Sequence, residues 1–139
     1  MNIPALTAAV VLPLGLISDD FRSFTFRIRP GIFFADDPVF QGRPRELVAQ
    51  DYVYAIKRYY DPRNNSELLY LWENAGVLDL TELRERALKE KKPFDYDREV
   101  EGLRALDRYT QQFKLEKPRP RFLYTIAQGD LIGAVAREV

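Results

Sequence analysis

The chain of 139 residues contains no cysteine and no histidine. These two absences together remove disulfide frameworks, thiolate nucleophiles, the common zinc sites and histidine-centred triads. Any catalysis would rest on carboxylates, lysine, tyrosine, serine or threonine. A charge excess is missing as well, since 21 Lys and Arg balance 21 Asp and Glu. Domains that bind nucleic acid carry a basic face, and this balance provides no such footprint. The densest basic group, Lys89-Glu90-Lys91-Lys92, is broken by an acid and reads as a solvated helix end. A membrane-spanning stretch is also lacking. The apolar opening from Ile3 to Ile17 is shorter than the roughly 20 residues a spanning helix needs, and Pro4 and Pro13 interrupt it. It has no basic start of the secretory type and reads as a buried strand or extended segment.

What is present is patterning. The length suits one compact domain, which would bury roughly 68% of its unfolded surface. Phe24, Phe26 and Ile28 alternate with Thr25, Arg27 and Arg29, the pattern of a half-buried antiparallel strand. Pro30-Gly31 follows as a turn, and Ile32-Phe33-Phe34 as a short extended run. Asp36 to Arg45 is a loop with turn signals at Asp37-Pro38 and Gln41-Gly42.

From Ala49 to Tyr60, the spacing of Tyr52, Val53, Ile56, Tyr59 and Tyr60 predicts a helix. Asp51 sits near its start and Lys57-Arg58 near its end, and Asp61-Pro62 stops it. A second short helix spans Glu67 to Asn74 with Gly76 as its cap, and a third runs from Thr81 to about Lys91. A hairpin turning within Ala105 to Thr110 leads to a strand whose Tyr109, Gln111, Phe113 and Leu115 share a face. Pro118 and Pro120 then open a last short helix carrying Phe122, Leu123 and Ile126. This order predicts a single α+β domain over 1–139, a small antiparallel sheet with several short helices.

Three groups of residues are candidates for chemistry. Asp36 and Asp37 are adjacent acids that could bind a hard cation or form an acid pair. No further acid follows at the spacing of a calcium loop, and loop neighbours rarely hold a catalytic separation. A structural role is preferred, with the side chains capping nearby amides. Trp72 with Tyr59, Tyr60 and Tyr70 could form an aromatic platform, though aromatics at helical spacing are more often core. Arg43, Arg45, Lys57 and Arg58 could steer an anionic ligand, but Glu46 and Asp51 nearby favour a surface ion-pair face. No catalytic, metal or ligand-binding residue is assigned, and no cofactor is expected.

Several stretches together resemble one family. RSFTFRIRPGIFF, then the loop, then VAQDYVYAIKRYYDP, is similar to the opening block of oligopeptide/dipeptide-type periplasmic solute-binding proteins of ABC transporters. Phe24, Phe26, Arg27, Ile28, Arg29, Gly31 and Phe34 fill the first part of that block. Ala49, Asp51, Val53, Ile56, Lys57, Arg58, Asp61 and Pro62 fill the last. Val100 to Thr110 with Phe113-Lys114-Leu115 resembles the family's hairpin, and Lys117-Pro118-Arg119-Pro120-Arg121-Phe122-Leu123 its helix entry. Phe34 to Arg43 resembles a longer loop used by one subgroup. Val48 departs from the family's usual Thr, which removes a side-chain helix cap of about 1 kcal/mol.

The resemblance implies a non-catalytic part of a two-lobed periplasmic or extracellular receptor for peptides or similar solutes, delivering to a membrane permease. The stretch corresponds to a subdomain supporting the first lobe, and the chain is expected to be excised from a longer protein whose remaining lobe is its partner. Self-association through the face so exposed is the matching expectation for the isolated chain. The alternatives are a carboxylate-dependent hydrolase domain and a stand-alone interaction module.

Overall fold

The computed structural model describes residues 16–126 and 133–139. Most of the apolar opening lies outside them, so its reading as strand or extended chain is met only at Leu16 and Ile17. These two form β1 (Leu16–Ile17), paired with β2 (Ser23–Arg27). The hairpin supplies β3 (Leu103–Asp107) and β4 (Thr110–Lys114). The sheet order is β1-β2-β4-β3 with every neighbouring pair antiparallel. Four helices accompany it among the described residues: α1 (Ala49–Tyr60), α2 (Leu69–Ala75), α3 (Leu80–Glu90) and α4 (Phe122–Ile126). The α+β class read from the sequence is the class observed.

The alternation in the sequence sets which sheet face is covered. Phe24 and Phe26 of β2 and Gln111 and Phe113 of β4 point into the core, and Ile28 and Leu115 continue the two rows. On the other face Gln112 donates to the Thr25 hydroxyl at 3.1 Å. Helix α1 covers the inner face with Tyr52, Val53, Ile56 and Tyr60, and α3 adds Leu80, Leu83 and Ala87. Trp72 of α2 lies parallel to Phe113 with centroids 6.2 Å apart, and Phe122 of α4 meets Phe113 at 5.1 Å and Phe24 at 5.0 Å. Each such fully buried aromatic contributes about 1.5–3 kcal/mol of transfer free energy.

The helix ends follow their sequence signals to within two residues, α2 starting at Leu69 where Glu67 was expected. Val48 caps α1 with backbone only, because its side chain has no acceptor. The reciprocal contact is made instead: Asp51 in the third helical position accepts from the Val48 amide at 2.9 Å. Gly76 closes α2 at φ +72, donating to the Trp72 and Glu73 carbonyls. Helix α3 begins one residue earlier than Thr81. Asp79 precedes it in the left-handed region, and its carboxylate turns away to accept from the Glu101 amide at 3.1 Å. Both proline signals open 3-10 turns, Pro38–Phe40 and Pro62–Asn64, where the sequence showed only loop.

Candidate functional site

One end of the sheet gathers three loops on a single carboxylate. Glu46 accepts from the Gly31 amide at 2.9 Å, from the Arg108 guanidinium at 2.9 Å and from the Tyr109 hydroxyl at 2.7 Å. The Pro30-Gly31 turn, the approach to α1 and the β3–β4 turn are thereby tied together. The Tyr109 hydroxyl, then the Gly31 amide and Arg108, lower the Glu46 pKa to about 2. Next to it Arg45 forks onto Asp51 at 2.5 and 3.1 Å, and its Nε reaches Glu138 at 3.1 Å. Arg45 also lies 5.5 Å from the Phe34 ring centroid. Asp51 is only 3% exposed and Arg45 is half-buried, so the acid of this pair is withdrawn from the surface face that the sequence favoured.

A second cluster surrounds the end of α1. Lys57 corrects the sequence reading outright, because it is 3% exposed and lies within the fold. Its ammonium donates to the carbonyls of Tyr96 at 3.0 Å and Arg98 at 2.8 Å, which fixes the 93–100 loop against the helix. Burial lowers its pKa, and the charges of Asp95, Asp97 and Glu99 oppose that shift. Asp61, also buried, accepts from the Arg63 amide and guanidinium, both at 3.0 Å, and from the Tyr96 hydroxyl at 2.6 Å. Burial alone would raise its pKa, but these hydrogen bonds outweigh it and hold the carboxyl below its ordinary value. Arg137 pairs with Asp97 at 2.5 Å and lies over the rings of Tyr54 and Tyr96.

The structure does not bring the sequence candidates together. Asp37 caps the 3-10 turn, accepting from the Val39 amide at 2.9 Å, as the structural reading expected. Asp36 is exposed beside it, and the two border a cleft of about 80 Å³ with Phe34, Phe40 and Val139. Trp72 and Tyr60 are fully buried, Tyr59 is half-buried against Trp72 and Tyr70 points outward, so these aromatics form no platform. Arg43 and Arg58 are exposed.

The sequence reading missed Glu46 as a hub, the socket of Lys57, and a groove of about 510 Å³ between α2 and the segment entering α4. Leu71, Asn74 and Ala75 form one wall of that groove, and Arg119, Arg121 and Phe122 the other. The run Lys117-Pro118-Arg119-Pro120-Arg121 was the available signal for it. Chemically, the two clusters hold loops: the acids Glu46, Asp51 and Asp61 and the cation Lys57 are each engaged with partners from other segments or turns. Among the described residues no group of three or more acids is placed to hold a metal ion, and no helix is long and apolar enough to cross a membrane.

Comparison with known proteins places this arrangement in context. The model of the bacterial extracellular solute-binding proteins, family 5, middle region, matches residues 4–131. The Escherichia coli murein tripeptide binding protein MppA is similar at 27% identity with a TM-score of 0.62, covering 92% of this chain and 22% of that one. Listeria monocytogenes OppA bound to peptide is similar in fold at 22% identity and a TM-score of 0.65, covering 93% of this chain and 22% of that one. Haemophilus influenzae OppA in complex with RPPGFSPFR has 22% identity and a TM-score of 0.65, over 86% of this chain and 20% of that one. The chain therefore spans about a fifth of the length of these solved relatives. No curated protein sequence matches it.

Proposed function

Because the chain belongs to the bacterial extracellular solute-binding proteins, family 5, we propose that it is the supporting subdomain of the first lobe of a peptide-type receptor. That receptor closes on a peptide or similar solute outside the cytoplasm, in the periplasm or at the cell surface, and presents it to an ABC-transporter permease. The observation that carries this reading is the family match across nearly the whole chain. The likeness to peptide-bound OppA structures supports the fold it requires. The role is non-catalytic, and the mechanism belongs to the whole receptor as hinge closure around ligand.

Within it this subdomain supplies stiffness. The Glu46 hub and the Lys57 socket lock loops, and nothing in either cluster is arranged to hold a transported solute. The test is isothermal titration of the receptor that contains this chain with a panel of neutral oligopeptides. Saturable binding is expected, together with no high-affinity binding of the same peptides by the 139-residue chain alone. A receptor that binds none of these neutral peptides would overturn the reading, as would tight binding of them by the chain alone. Self-association of the isolated chain is part of the proposal, since Tyr70, Leu88 and Tyr124 are large and exposed. A sedimentation coefficient independent of concentration would refute that part.

A further inference from the structure

We propose that the groove between α2 and the entry to α4 is a docking site for an acidic segment of a partner polypeptide. This goes beyond solute binding, which the reading above places between lobes and not on this surface. The groove has Leu71 and Ala75 beside Asn74 on one wall, and Arg119 and Arg121 on the other, where Phe122 is almost wholly buried. No acid lines it. Both arginines are exposed, and neither forms an ion pair among the described residues, whereas Arg45, Arg63, Arg108 and Arg137 each do. Between Glu116 and Asp130 the sequence carries three basic residues and no acid, and Arg119 and Arg121 are the charged groups of the groove lining.

The wall is also built in advance. Pro118 and Pro120 fix two backbone φ angles and remove two amide donors, which leaves side chains to do the recognition. The Arg119 amide is held by the Phe21 carbonyl at 2.9 Å, and Phe122 is anchored in the core. A preformed wall lowers the ordering cost of binding. Two guanidinium forks facing the apolar side chains of Leu71 and Ala75 match a short extended segment in which carboxylates flank a large apolar side chain, since arginine binds carboxylate bidentately. The concave shape favours an inserted side chain over a flat anionic bilayer.

The experiment uses the 139-residue chain and a peptide labelled at its N-terminus, fluoresceinyl-Glu-Asp-Leu-Phe-Glu-Asp-amide, followed by anisotropy at low ionic strength. Saturable binding is expected, weakened about tenfold or more by the paired change Arg119→Glu and Arg121→Glu. Asn74→Trp, which fills the groove, is expected to weaken it as well, and the peptide with lysine at each acidic position should not bind. Circular dichroism checks that the variants remain folded, and Arg119→Gln with Arg121→Gln replaces the charge reversal if that variant does not fold. The proposal is overturned if the acidic peptide fails to bind at millimolar concentration, or if the lysine peptide binds as well. Undiminished binding to the arginine variants overturns it too, and so does retention by phosphatidylglycerol vesicles without peptide binding. The neutral-peptide titration of the receptor is a separate measurement, so either proposal can fail without the other.

Discussion

At the scale of single residues, a lysine near a helix end is normally a solvated complement to the helix dipole. Lys57 is not, and its burial creates a dependence that can be measured. Its ammonium satisfies the Tyr96 and Arg98 carbonyls, and α1 supplies no substitute donor because its amides are used within the helix. Lys57→Met preserves most of the stem's packing and removes the donor. Leaving partly buried carbonyls unpartnered costs about 1–3 kcal/mol, so the urea midpoint should fall by a corresponding amount with the slope unchanged. An unaltered midpoint would mean that water replaces the ammonium without loss. Val48 shows the opposite case, since the missing cap acceptor is offset in part by Asp51 reaching back to the Val48 amide. The pairing Arg45–Asp51 then adds two hydrogen bonds to that carboxylate.

At the scale of elements, the sequence was most legible where one element determines its own pattern. The alternation in β2, the spacing in α1 and the Gly76 cap were all readable because each reports which side of its own backbone faces inward. Lys57 and Glu46 were not readable, because their partners arrive from Tyr96, Arg98 and Arg108, far away in the chain. The groove was hidden for the same reason: its two walls are separated by more than 40 residues. The hairpin was legible, but its bulge between Ala105 and Asp107 was not.

Two predictions belong to this scale. Glu46 holds three elements only while ionised. Its folded pKa of about 2 lies below the ordinary carboxyl value of 4.5, so its contribution is present above the unfolded pKa and is lost as pH falls through the folded one. The stability gap between the native chain and Glu46→Gln should be widest near neutrality and should narrow as pH drops from 4.5 toward 2. A gap that stays constant across that window would show that Glu46 acts through packing alone. The second concerns the strand that Gly102 opens. A Cβ there would press on the backbone nitrogen and oxygen of Leu78, which cannot swing aside because the Leu78 amide is bonded to the Lys114 carbonyl at 3.0 Å. Gly102→Ala should destabilise by about 3 kcal/mol. At Gly42 a Cβ meets nothing within 4 Å, and the φ of +73 alone should limit the loss on Gly42→Ala to about 1 kcal/mol. Equal losses at the two glycines would contradict the close approach.

At the scale of the whole molecule, the question is whether 1–139 is a folding unit in its own right, as the single-subdomain proposal holds. One contiguous cluster links residues from β2 through α1, α2, α3 and the hairpin to Phe122, Ile126 and Ala134, with no second core among the described residues. A shared core of this kind enforces cooperative unfolding in domains of this size. The single tryptophan provides the probe. Trp72 is 0% exposed and packed on Tyr59 and Phe113, so its native emission should be blue-shifted and resistant to iodide quenching, moving to the red when the core opens. Far-ultraviolet circular dichroism reports the helices and sheet independently. If the core joins every element, the two urea transitions should superimpose and the fitted midpoints should agree within error. If the chain needs its remaining lobe to fold, Trp72 emission should already be red-shifted in the absence of urea, or should shift well before the dichroism changes. Either result would replace an autonomous subdomain with a segment that is completed only inside the receptor.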